Sequence, residues 1–304
     1  MNSATLTAVL LNWRTPDFTL RAVRALIDQG VPPRRIVVVD NASGDGSLQR
    51  FEKELSESTI VALEENVGFA RAINLGAQSL SGDAYLFVNS DAFAHSQGSV
   101  GRLLAAFEDP AVGLAVPRLL NEDLTLQPSV VPNSTPLAEL VRASGISRLV
   151  PNRYQPSFGT HWDHSESRMI QAAIGPVIVV RGAAWHGLGG FDEKAFMYAE
   201  DLDLCRRAEK LGWRVRFVAD AEFVHVGRAS ADQRWSAPER AERKARAEAA
   251  MIRDHLGPVR ARLTIGLMAA GVGGRAMLHA ARGRKLAART HSAWLRGYLH
   301  PDGR

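Results

Sequence analysis

Two adjacent acids, Glu200 and Asp201, stand where a carboxylate could act as a catalytic base. They follow residues 189–199, a stretch with two leading glycines and several aromatic side chains. Beyond them three apolar residues recur at helical spacing, namely Leu204, Ala208 and Leu211. This spacing predicts that both acids begin a helix with one apolar stripe. Acids in a first helical turn also complement the helix dipole, so the pair alone is compatible with a purely structural role.

A second group of polar residues could bind a divalent metal ion. Asn89, Ser90 and Asp91 follow an apolar run, so they place an amide and a carboxylate at the end of a predicted strand. Mg²⁺ and Mn²⁺ take few protein oxygens and complete their coordination with substrate phosphates. His225 could be a further ligand, because imidazole is acceptable to Mn²⁺. The structural alternatives are a simple turn for the three-residue segment and a packed histidine at position 225.

The first third of the chain alternates predicted strands with predicted helices. Buried strands are predicted at residues 7–12, 36–40, 59–63 and 84–88. This rhythm is typical of a mostly parallel sheet with right-handed crossovers, in which ligands bind beyond the carboxyl ends of the strands. A polar residue follows each strand: Asn12, Asp40, Asn66 and Asp91. Four polar strand ends in register predict a ligand cleft at that edge of the sheet.

Weaker patterns occupy the rest of the chain. Thr15 and Pro16 predict a capped helix start, and further strands are predicted at residues 113–116, 174–180, 213–218 and 222–226. Residues 128–170 are rich in Pro, Ser, Asn and His with little periodicity, which predicts a variable excursion. A charged helix is predicted at residues 238–256. The broken apolar stretch at residues 263–281 favours an interfacial helix over a membrane span.

Length and composition indicate an ordinary globular protein. The chain has 304 residues, with 46% hydrophobic and 23% charged residues, enough for one large α/β domain with appendages or two small domains. The single cysteine, Cys205, excludes a disulfide within the chain and fits a reducing compartment. The sequence runs straight into a strand without a basic leading segment, so we expect no signal peptide. The sequence contains no run of about 20 apolar residues, so we predict no transmembrane helix.

The net charge of +5 is unevenly distributed along the sequence. From residue 258 onward there are nine Lys or Arg and one acid, a segment charge of +8, which leaves −3 for the remainder. Such a tail favours an anionic partner, either lipid headgroups or nucleic acid. Its interleaved apolar residues and the lack of a recognisable nucleic-acid module favour an anionic membrane surface over nucleic acid.

Several common functional motifs do not occur in the sequence. It has no Walker-type glycine-rich loop, no G-x-G-x-x-G after the first strand, no C-x-x-C and no G-x-S-x-G. These absences argue against P-loop proteins, Rossmann dehydrogenases, zinc ribbons and serine hydrolases. A nucleotidyltransferase would carry a glycine-rich signature with Arg and Lys after the first strand, and LLNWRTPDF lacks it.

Five sequence blocks follow one another between residues 7 and 230: VVDNASGDGS, ENVGFARAINLG, FVNSDA, GGFDEKAFMYAEDLDLCRRAEKLGW and HVGRAS. In this order they resemble the family 2 glycosyltransferases of GT-A fold, and among these the rhamnosyltransferase branch that acts on lipid-diphosphate acceptors in the bacterial cell envelope. The resemblance implies inverting transfer of a sugar, with L-rhamnose from dTDP-rhamnose as the first choice, from a nucleoside diphosphate-sugar to an acceptor hydroxyl. It also implies a divalent metal, Mg²⁺ or Mn²⁺, on the diphosphate.

The resemblance assigns the nucleotide-sugar end of the site to residues at the first strand ends. Asp40 corresponds to the acid that contacts the nucleobase, with Asn12 close to it. Asn66 and Arg71 lie in the block that lines the nucleotide pocket.

It assigns the metal and the base to the later blocks. Asn89, Ser90 and Asp91 take the D-x-D position, with Asp91 as the metal ligand and the other two near the nucleotide sugar. Because Asn89 replaces the first acid, metal affinity would rest more heavily on Asp91 and His225. Asp201 resembles the general base, which takes the proton of a poorly nucleophilic sugar hydroxyl, and Glu200 stays the alternative.

Together these inferences predict an α/β protein of GT-A type with a mostly parallel central sheet flanked by helices. We expect a glycosyltransferase domain at residues 1–235, with a nucleotide-sugar half at about 1–120 and an acceptor half at about 121–235, and a helical, basic extension at residues 236–304. The expected partners are the donor, a glycan or polyprenyl-diphosphate-linked acceptor, and an anionic membrane bound by the tail. The expected location is the cytoplasmic face of the plasma membrane. The alternatives are a UDP- or GDP-sugar donor, or a non-catalytic nucleotide-sugar-binding protein.

Overall fold

A ten-stranded sheet forms the core of the first of two units into which the chain divides. The computed structural model describes residues 5–143, 149–151, 154, 162–194, 196–227 and 231–300. The first unit comprises Met1–Val130, Asp163–Phe196 and Glu200–Ser230, and the second comprises Val131–Trp162, Met197–Ala199 and Ala231–Arg304.

The described strands are short and mostly buried. In chain order they are β1 (Leu6–Asn12), β2 (Ile36–Asp40), β3 (Thr59–Ala62), β4 (Ala84–Asn89), β5 (Ala92–Ala94), β6 (Val112–Leu120), β7 (Leu126–Gln127), β8 (Val130–Val131), β9 (Arg168–Ile170), β10 (Ala172–Ala173), β11 (Val177–Arg181) and β12 (Arg214–His225). The four strands predicted in the first third of the chain correspond to β1 to β4.

The sheet has the order β3-β2-β1-β4-β11-β6-β12-β5, with β7 beside β6 and β9 beside β12. Neighbouring strands from β3 to β4 are parallel, as are β6 and β12. Strand β11 is antiparallel to both β4 and β6, and β5, β7 and β9 are antiparallel edges. The predicted α/β fold with a sheet flanked by helices is confirmed. The sheet as a whole is mixed, with its parallel pairings among β1 to β4 and between β6 and β12.

The helices of the first unit connect and cover these strands. They are α1 (Pro16–Asp28), α2 (Ser47–Glu54), α3 (Phe69–Gln78), α4 (Ser99–Ala105), α6 (Gly182–Leu188) and α7 (Glu200–Lys210), with α5 belonging to the second unit. Helix α1 shows how such a helix packs on the sheet. Pro16 starts it, and Leu20, Val23 and Leu26 recur on one face and are buried.

The structure corrects three local predictions in the first unit. Residues 213–218 and 222–226 are not two strands, because β12 runs continuously and absorbs the irregular residues between Val218 and Glu222 as a bulge. Leu211 does not complete the apolar stripe; it is 56% exposed just beyond the end of α7, where Leu204, Cys205 and Ala208 form the buried face instead. The Thr15 hydroxyl makes no cap bond to α1, since other partners occupy it.

The second unit is helical in its C-terminal part. It contains α5 (Pro136–Ala143), α8 (Ala231–Arg234), α9 (Ala237–His255), α10 (Pro258–Ala281) and α11 (Lys285–Leu299). Helices α9 and α11 approach closely at Gly297, where a Cβ atom would stand 2.5 Å from both the Ala245 Cβ and the Glu242 carbonyl oxygen. Within the described part of the chain, no helix has both the length and the apolar character required to traverse a bilayer.

The excursion predicted at residues 128–170 is only partly described. Residues 144–148, 152–153 and 155–161 lie outside the described residues. The remainder is more regular than its composition indicated, since Pro136–Ala143 is a helix and Arg168–Ile170 is a strand that pairs with β12.

Candidate active site

The ends of β1 and β2 carry a buried hydrogen-bond network. Asn12 lies opposite Asp40 in the parallel register, and its amide donates to Asp40 Oδ1 at 2.7 Å and to Ser43 Oγ at 2.9 Å. Ser43 in turn donates to Asp40 Oδ1 at 2.5 Å and accepts the Arg14 N–H at 3.0 Å. Asn12 and Asp40, both predicted from their places at strand ends, therefore form one network.

The same network reaches the end of β4. Asn12 Oδ1 accepts hydrogen bonds from Thr19 Oγ1 at 2.9 Å and from the Thr15 backbone N–H at 3.3 Å. The Thr15 hydroxyl also lies 3.0 Å from Ser90 Oγ. A chain of polar contacts thus connects the proposed nucleobase end, at Asp40, to the segment that carries Asp91.

Asn66 and Arg71 lie after β3, in the turn that leads into α3 and on the first turn of α3. Asn66 Oδ1 accepts hydrogen bonds from Asn41 Nδ2 and from the Gly68 N–H, both at 3.2 Å, so it shapes the turn into α3. Gly68 has φ +89°, a conformation that L side chains rarely adopt. Arg71 lies on the first turn of α3 with its side chain exposed. Asn66 is thus held by its own loop, whereas Arg71 faces solvent beside it.

Asp91 and His225 come together from distant parts of the sequence. The antiparallel pairing of β12 with β5 sets His225 opposite Ala92, the residue after Asp91. As a result, His225 Nε2 lies 3.5 Å from Asp91 Oδ1, and both side chains are largely buried. The backbone holds this arrangement as well, since the Val226 N–H donates to the Asp91 carbonyl at 3.0 Å.

Gln127 fixes the tautomer of His225. Its Nε2 faces two acceptors, the His225 carbonyl at 3.1 Å and Asn121 Oδ1 at 3.0 Å, so that end of the amide must be the donor. Gln127 Oε1 is therefore an acceptor, and it lies 2.7 Å from His225 Nδ1. It follows that Nδ1 carries a proton, so Nε2 is the ring nitrogen that can offer a lone pair on the side of Asp91.

This pair fits a divalent cation. A lone pair on nitrogen and a carboxylate oxygen facing each other across 3.5 Å leave two acceptors without a proton between them when the imidazole is neutral. Two ligands about 2.1 Å from one ion stand at most about 4.2 Å apart, so the separation permits a shared ion. Among the described residues, no group of three or more His, Cys, Asp or Glu side chains that could hold a metal ion converges.

Asp201 is fastened to the loop before β11. Its Oδ2 accepts the Gly175 N–H at 2.8 Å, and its Oδ1 accepts the Leu202 N–H at 2.7 Å. The next residue of that loop, Pro176, accepts the Asn89 N–H through its carbonyl at 2.8 Å. A short path of backbone atoms therefore joins Asp201 to Asn89, and the two predicted groups, base and metal segment, meet at the same end of the sheet.

Glu200 follows a strained stretch of backbone. Tyr198 and Ala199 have φ of +79° and +66°, and consecutive non-glycine residues in this region are uncommon. Such conformations persist where the surrounding structure imposes them, often next to functional groups. The backbone that leads into Glu200 and Asp201, at the start of α7, therefore has a defined conformation.

Asn74 holds the loop that leads to these acids. Its amide accepts the Phe191 N–H at 2.9 Å and donates to the Phe191 carbonyl at 2.9 Å and to Glu193 Oε1 at 2.8 Å. At the far end of the loop, the Phe196 carbonyl accepts the Phe69 N–H at 2.9 Å. Phe191 and Phe196, on either side of this loop, are thus both bonded to helix α3.

Sequence reasoning missed Ser43, Gln127 and Asn74. Ser43 lies in the turn-forming cluster after β2, and Asn74 lies within the block that contains Asn66, so both were near predicted residues. Gln127 had no such signal, because nothing in the sequence announces that β7 runs beside His225. Cys205 supplies no nucleophile, because burial raises the pKa of its thiol to about 12.

The fold is α/β with polar side chains gathered at one end of the sheet, and the sequence comparisons identify its family. Residues 9–142 match the glycosyl transferase family 2 description, and residues 157–288 match that of glycosyl transferase family group 2. The chain belongs to the family 2 glycosyltransferases and is rhamnosyltransferase-like, as the five sequence blocks predicted.

Individual relatives agree with this placement. An N-acetylglucosaminyl-diphospho-decaprenol L-rhamnosyltransferase of Mycobacterium tuberculosis is 28% identical over 208 residues, covering 64% of this chain and 66% of the relative. The O-antigen biosynthesis protein RfbC of Myxococcus xanthus is 26% identical over 220 residues, covering 71% of this chain and 17% of that protein. The chain thus spans just under two thirds of the first relative and a small part of the second.

Solved structures confirm the GT-A fold. The mannosyltransferase PcManGT from Pyrobaculum calidifontis, in complex with GDP-Man and Mn²⁺, aligns with a TM-score of 0.61 and 16% identity over 100% of this chain and 89% of that one. Residues 1–349 of S. aureus TarS, in complex with UDP-GlcNAc, align with a TM-score of 0.56 and 17% identity over 97% of this chain and 91% of that one.

Proposed function

We propose that this protein is an inverting glycosyltransferase of bacterial cell-envelope synthesis. It transfers a sugar, with L-rhamnose from dTDP-rhamnose as the first choice, to a hydroxyl of a lipid-linked or polysaccharide acceptor. The observation that carries the proposal is the backbone path from Asp201 through Gly175 and Pro176 to Asn89, which sets one carboxylate beside the metal segment. The name of the mycobacterial relative supports both the donor and the acceptor class.

A single carboxylate base is the requirement of inverting transfer. An acceptor hydroxyl is a poor nucleophile, so Asp201 takes its proton as the oxygen attacks the anomeric carbon from the face opposite the leaving diphosphate. The Gly175 N–H bond to Asp201 Oδ2 keeps the carboxylate oriented during this step. A covalent intermediate would need a second carboxylate as nucleophile, as in retaining hydrolases, and inversion does not.

Asp91 and His225 would hold the metal. When bound, Mg²⁺ or Mn²⁺ offsets the charge that accumulates on the departing diphosphate. Asp91 and His225 present their acceptors toward one point, and Gln127 keeps the His225 Nδ1 proton away from that point. Asn89 and Ser90 offer an amide and a hydroxyl for the ribose or phosphate oxygens of the same donor.

The nucleoside end of the donor belongs at the ends of β1 and β2. Asp40, oriented by Asn12 and Ser43, accepts hydrogen bonds from the nucleobase through its remaining acceptor capacity. Asn66 and Arg71 line the adjoining corner, where an exposed guanidinium suits a phosphate or ribose oxygen.

The second unit carries a surface suited to an anionic bilayer. Seven residues recur at intervals of three and four along the exposed side of α10: Val259, Leu263, Gly266, Ala270, Gly274, Met277 and Ala281. We call this set the outer stripe of α10. Val259, Leu263 and Met277 are 68%, 56% and 72% exposed. A peripheral position on the cytoplasmic face of the membrane would bring the enzyme to a lipid-linked acceptor.

Charge favours a bilayer over a second copy of the chain on this stripe. Residues 258–300 contain eight Lys or Arg and no Asp or Glu. Pairing two such segments would bring like charges together, whereas an anionic lipid surface is complementary to them. Arg260 and Arg262 stand on either side of the stripe in the first turns of α10, both exposed.

The test is transfer by the purified protein. It is incubated with a panel of nucleotide sugars and a lipid-diphosphate-linked acceptor, with Mn²⁺, with Mg²⁺ and with EDTA. We expect product from dTDP-rhamnose, with inverted anomeric configuration and dependence on the metal. Asp91→Ala should abolish both transfer and the metal-dependent thermal shift seen with dTDP.

Other outcomes separate the alternatives. Product from a UDP- or GDP-sugar would change the donor and keep the reaction. Binding of a nucleotide sugar without transfer or hydrolysis of any donor would indicate a non-catalytic binding protein. A retained anomeric configuration would contradict the single-base mechanism.

A further inference from the structure

A buried histidine lies in the turn that precedes β9, outside the site described above. The Asp163 side chain accepts the Ser165 N–H at 3.1 Å and the Ser165 hydroxyl at 2.8 Å, which closes a tight turn around His164. His164 has φ +55° and is 2% exposed, and its ring packs edge-on against Phe217 with ring centres 5.3 Å apart. The turn and the ring contact together give the imidazole a defined orientation.

The Nε2 atom of His164 accepts two hydrogen bonds from the backbone. The Ser129 N–H and the Val130 N–H both donate to it at 3.3 Å. A ring nitrogen that accepts from N–H groups carries a lone pair, so Nε2 is unprotonated and the proton of the neutral ring is on Nδ1. His164 is therefore bonded to two consecutive residues from a distant part of the sequence.

A path of hydrogen bonds leads from these residues to Asp201. The Ser129 carbonyl accepts the Ile174 N–H at 2.9 Å. The N–H of the next residue, Gly175, donates to Asp201 Oδ2 at 2.8 Å. Every residue of this path belongs to the first unit. The path therefore connects the His164 imidazole to the N–H group that binds the Asp201 carboxylate.

The loop around Gly175 has an attachment on each side. On the β11 side, the Pro176 carbonyl accepts the Asn89 N–H at 2.8 Å. On the other side, the preceding residue is bonded to the segment that His164 holds. A displacement of about 1 Å at a reacting group can cost up to about 10² in rate. Release of the second attachment would let the Gly175 N–H move relative to Asp201.

We propose that His164 is a positioning residue for the catalytic base. By accepting the Ser129 and Val130 N–H groups, it holds the loop backbone where the Gly175 N–H orients Asp201 Oδ2. This inference rests on the proposed function, in which Asp201 takes the proton of the acceptor hydroxyl. His164 acts on the reaction only through this path and exchanges no proton with the substrate.

The first experiment compares transfer by His164→Leu and His164→Gln in the full chain. Leucine keeps an apolar side chain but offers no acceptor, whereas the amide oxygen of glutamine can take the place of Nε2. Both variants keep a Cβ atom at φ +55°, so they share the same backbone strain. We expect kcat of His164→Leu to fall about tenfold with the donor KM unchanged, and His164→Gln to recover most of the loss. Wild-type kcat in a folded His164→Leu would overturn the proposal.

A double-mutant cycle separates positioning of the base from a general contribution to folding. In an Asp201→Asn background the base is already lost, so His164→Leu should lower kcat little further. The same fold-change in both backgrounds would mean that His164 has only a structural role, and would overturn the proposal. The control is His186→Leu, which should keep wild-type kcat. His186 is exposed on α6, which follows β11 at the end of the sheet away from Asn89.

Amide hydrogen exchange tests the hydrogen-bond path without turnover. Peptides that contain Ser129 or Gly175 are followed by mass spectrometry in the wild type and in both variants. We expect faster exchange of both peptides in His164→Leu and wild-type exchange in His164→Gln. If the leucine variant does not fold, it is replaced by His164→Asn, whose shorter side chain does not reach the position of Nε2.

Two kinds of failure remain distinguishable. Unchanged exchange in the variant that lacks the acceptor would show that the path does not depend on His164, and would overturn the proposal alone. Absence of transfer by the wild type with every donor would refute the proposed function, and the exchange result would still stand.

Discussion

Asp201 and Glu200 begin the same helix, but consecutive helical residues point about 100° apart. Only Asp201 is fastened to the Gly175 N–H, at 2.8 Å, next to the residue that pairs with Asn89. We therefore expect Asp201 to be the base. Asp201→Asn should keep donor affinity while turnover falls roughly 10²–10⁴-fold. Glu200→Gln should have a smaller effect, and the comparison is made by steady-state turnover with donor binding measured for both.

A larger turnover loss in Glu200→Gln, at unchanged donor affinity, would transfer the role to Glu200. The Gly175 contact offers a second check at the same scale. A Cβ atom on Gly175 would lie 3.0 Å from the Asp201 Cβ, so Gly175→Ala has to displace one of the two. We expect the turnover of Gly175→Ala to fall, as for Asp201→Asn, but by a smaller factor.

Gln127 is expected to control metal affinity without touching the metal. Gln127→Leu removes the acceptor for His225 Nδ1, so the imidazole is free to protonate Nε2 instead. Outer partners of metal-binding histidines typically contribute 10–100-fold in affinity. We expect Mn²⁺ affinity to fall by about this factor, measured by titration in the presence of dTDP. Gln127→Glu keeps an acceptor for Nδ1 but loses the two bonds that Gln127 Nε2 donates, so a loss of affinity in Gln127→Leu that exceeds the loss in Gln127→Glu is due to the Nδ1 contact. Equal affinity in Gln127→Leu and wild type would contradict the role.

At the scale of elements, residues 191–194 of the loop before α7 are held by contacts with neighbouring elements. Asn74 of α3 makes three hydrogen bonds to them, and Phe191 packs edge-on against Phe87 and Trp185 with ring centres 5.3 Å and 5.5 Å away. Helix α3, whose first turn carries Arg71, is therefore bonded directly to the loop that precedes Glu200 and Asp201 in the sequence.

Asn74→Asp tests this connection. The aspartate still accepts the Phe191 N–H, but it faces the Phe191 carbonyl and the Glu193 carboxylate without a proton to donate. A displacement of about 1 Å can cost up to about 10² in rate, so we expect kcat to fall by about 10-fold to 10²-fold with donor affinity preserved. The measurement is a kcat and KM comparison together with the melting temperature.

Glu193→Gln is the matched partner of that variant. Alone it keeps an acceptor for Asn74 Nδ2 and should behave like wild type. Combined with Asn74→Asp it supplies a donor to the new carboxylate and should recover part of the lost turnover. No recovery, together with a melting temperature as low as that of the single variant, would mean that Asn74 is needed only for stability.

The elements also show how far a sequence can predict this protein. Strands β1 to β4, the helix start at Glu200 and the proximity of Asn12 to Asp40 follow from apolar runs and polar strand ends, because parallel neighbours bring their carboxyl ends to one edge. The pairing of β5 and β7 around His225 did not follow, since these strands have three and two residues and no periodicity. The position of Gln127 beside His225 is set by tertiary contacts and not by a local sequence pattern.

At the scale of the whole molecule, the outer stripe of α10 is expected to govern membrane binding. Replacing Val259, Leu263 and Met277 together by serine removes apolar side chains that are already exposed, so the fold should tolerate the change. We expect the triple variant to sediment less with phosphatidylglycerol vesicles at low salt and to hydrolyse donor as the wild type does. Leu124→Ser, an exposed apolar residue of the first unit, is the control.

Unchanged vesicle binding in the triple variant would leave electrostatic attraction by the basic residues as the only contribution. That residual term should then vanish with added salt, because exposed charges are screened beyond about 10 Å at 0.1 M ionic strength. Point substitutions are preferable to truncation here. Helix α11 packs on α9 at Gly297, and the Tyr298 hydroxyl donates to Glu248 at 2.7 Å, so removing it would expose the core of the second unit.

The single, buried Cys205 gives this protein a practical property. Its thiol is fully enclosed in α7, and its pKa of about 12 keeps it protonated, so maleimides should not modify the folded chain. A cysteine introduced at Met277 would then be the one reactive thiol, and a spin label there could report immersion depth in a bilayer.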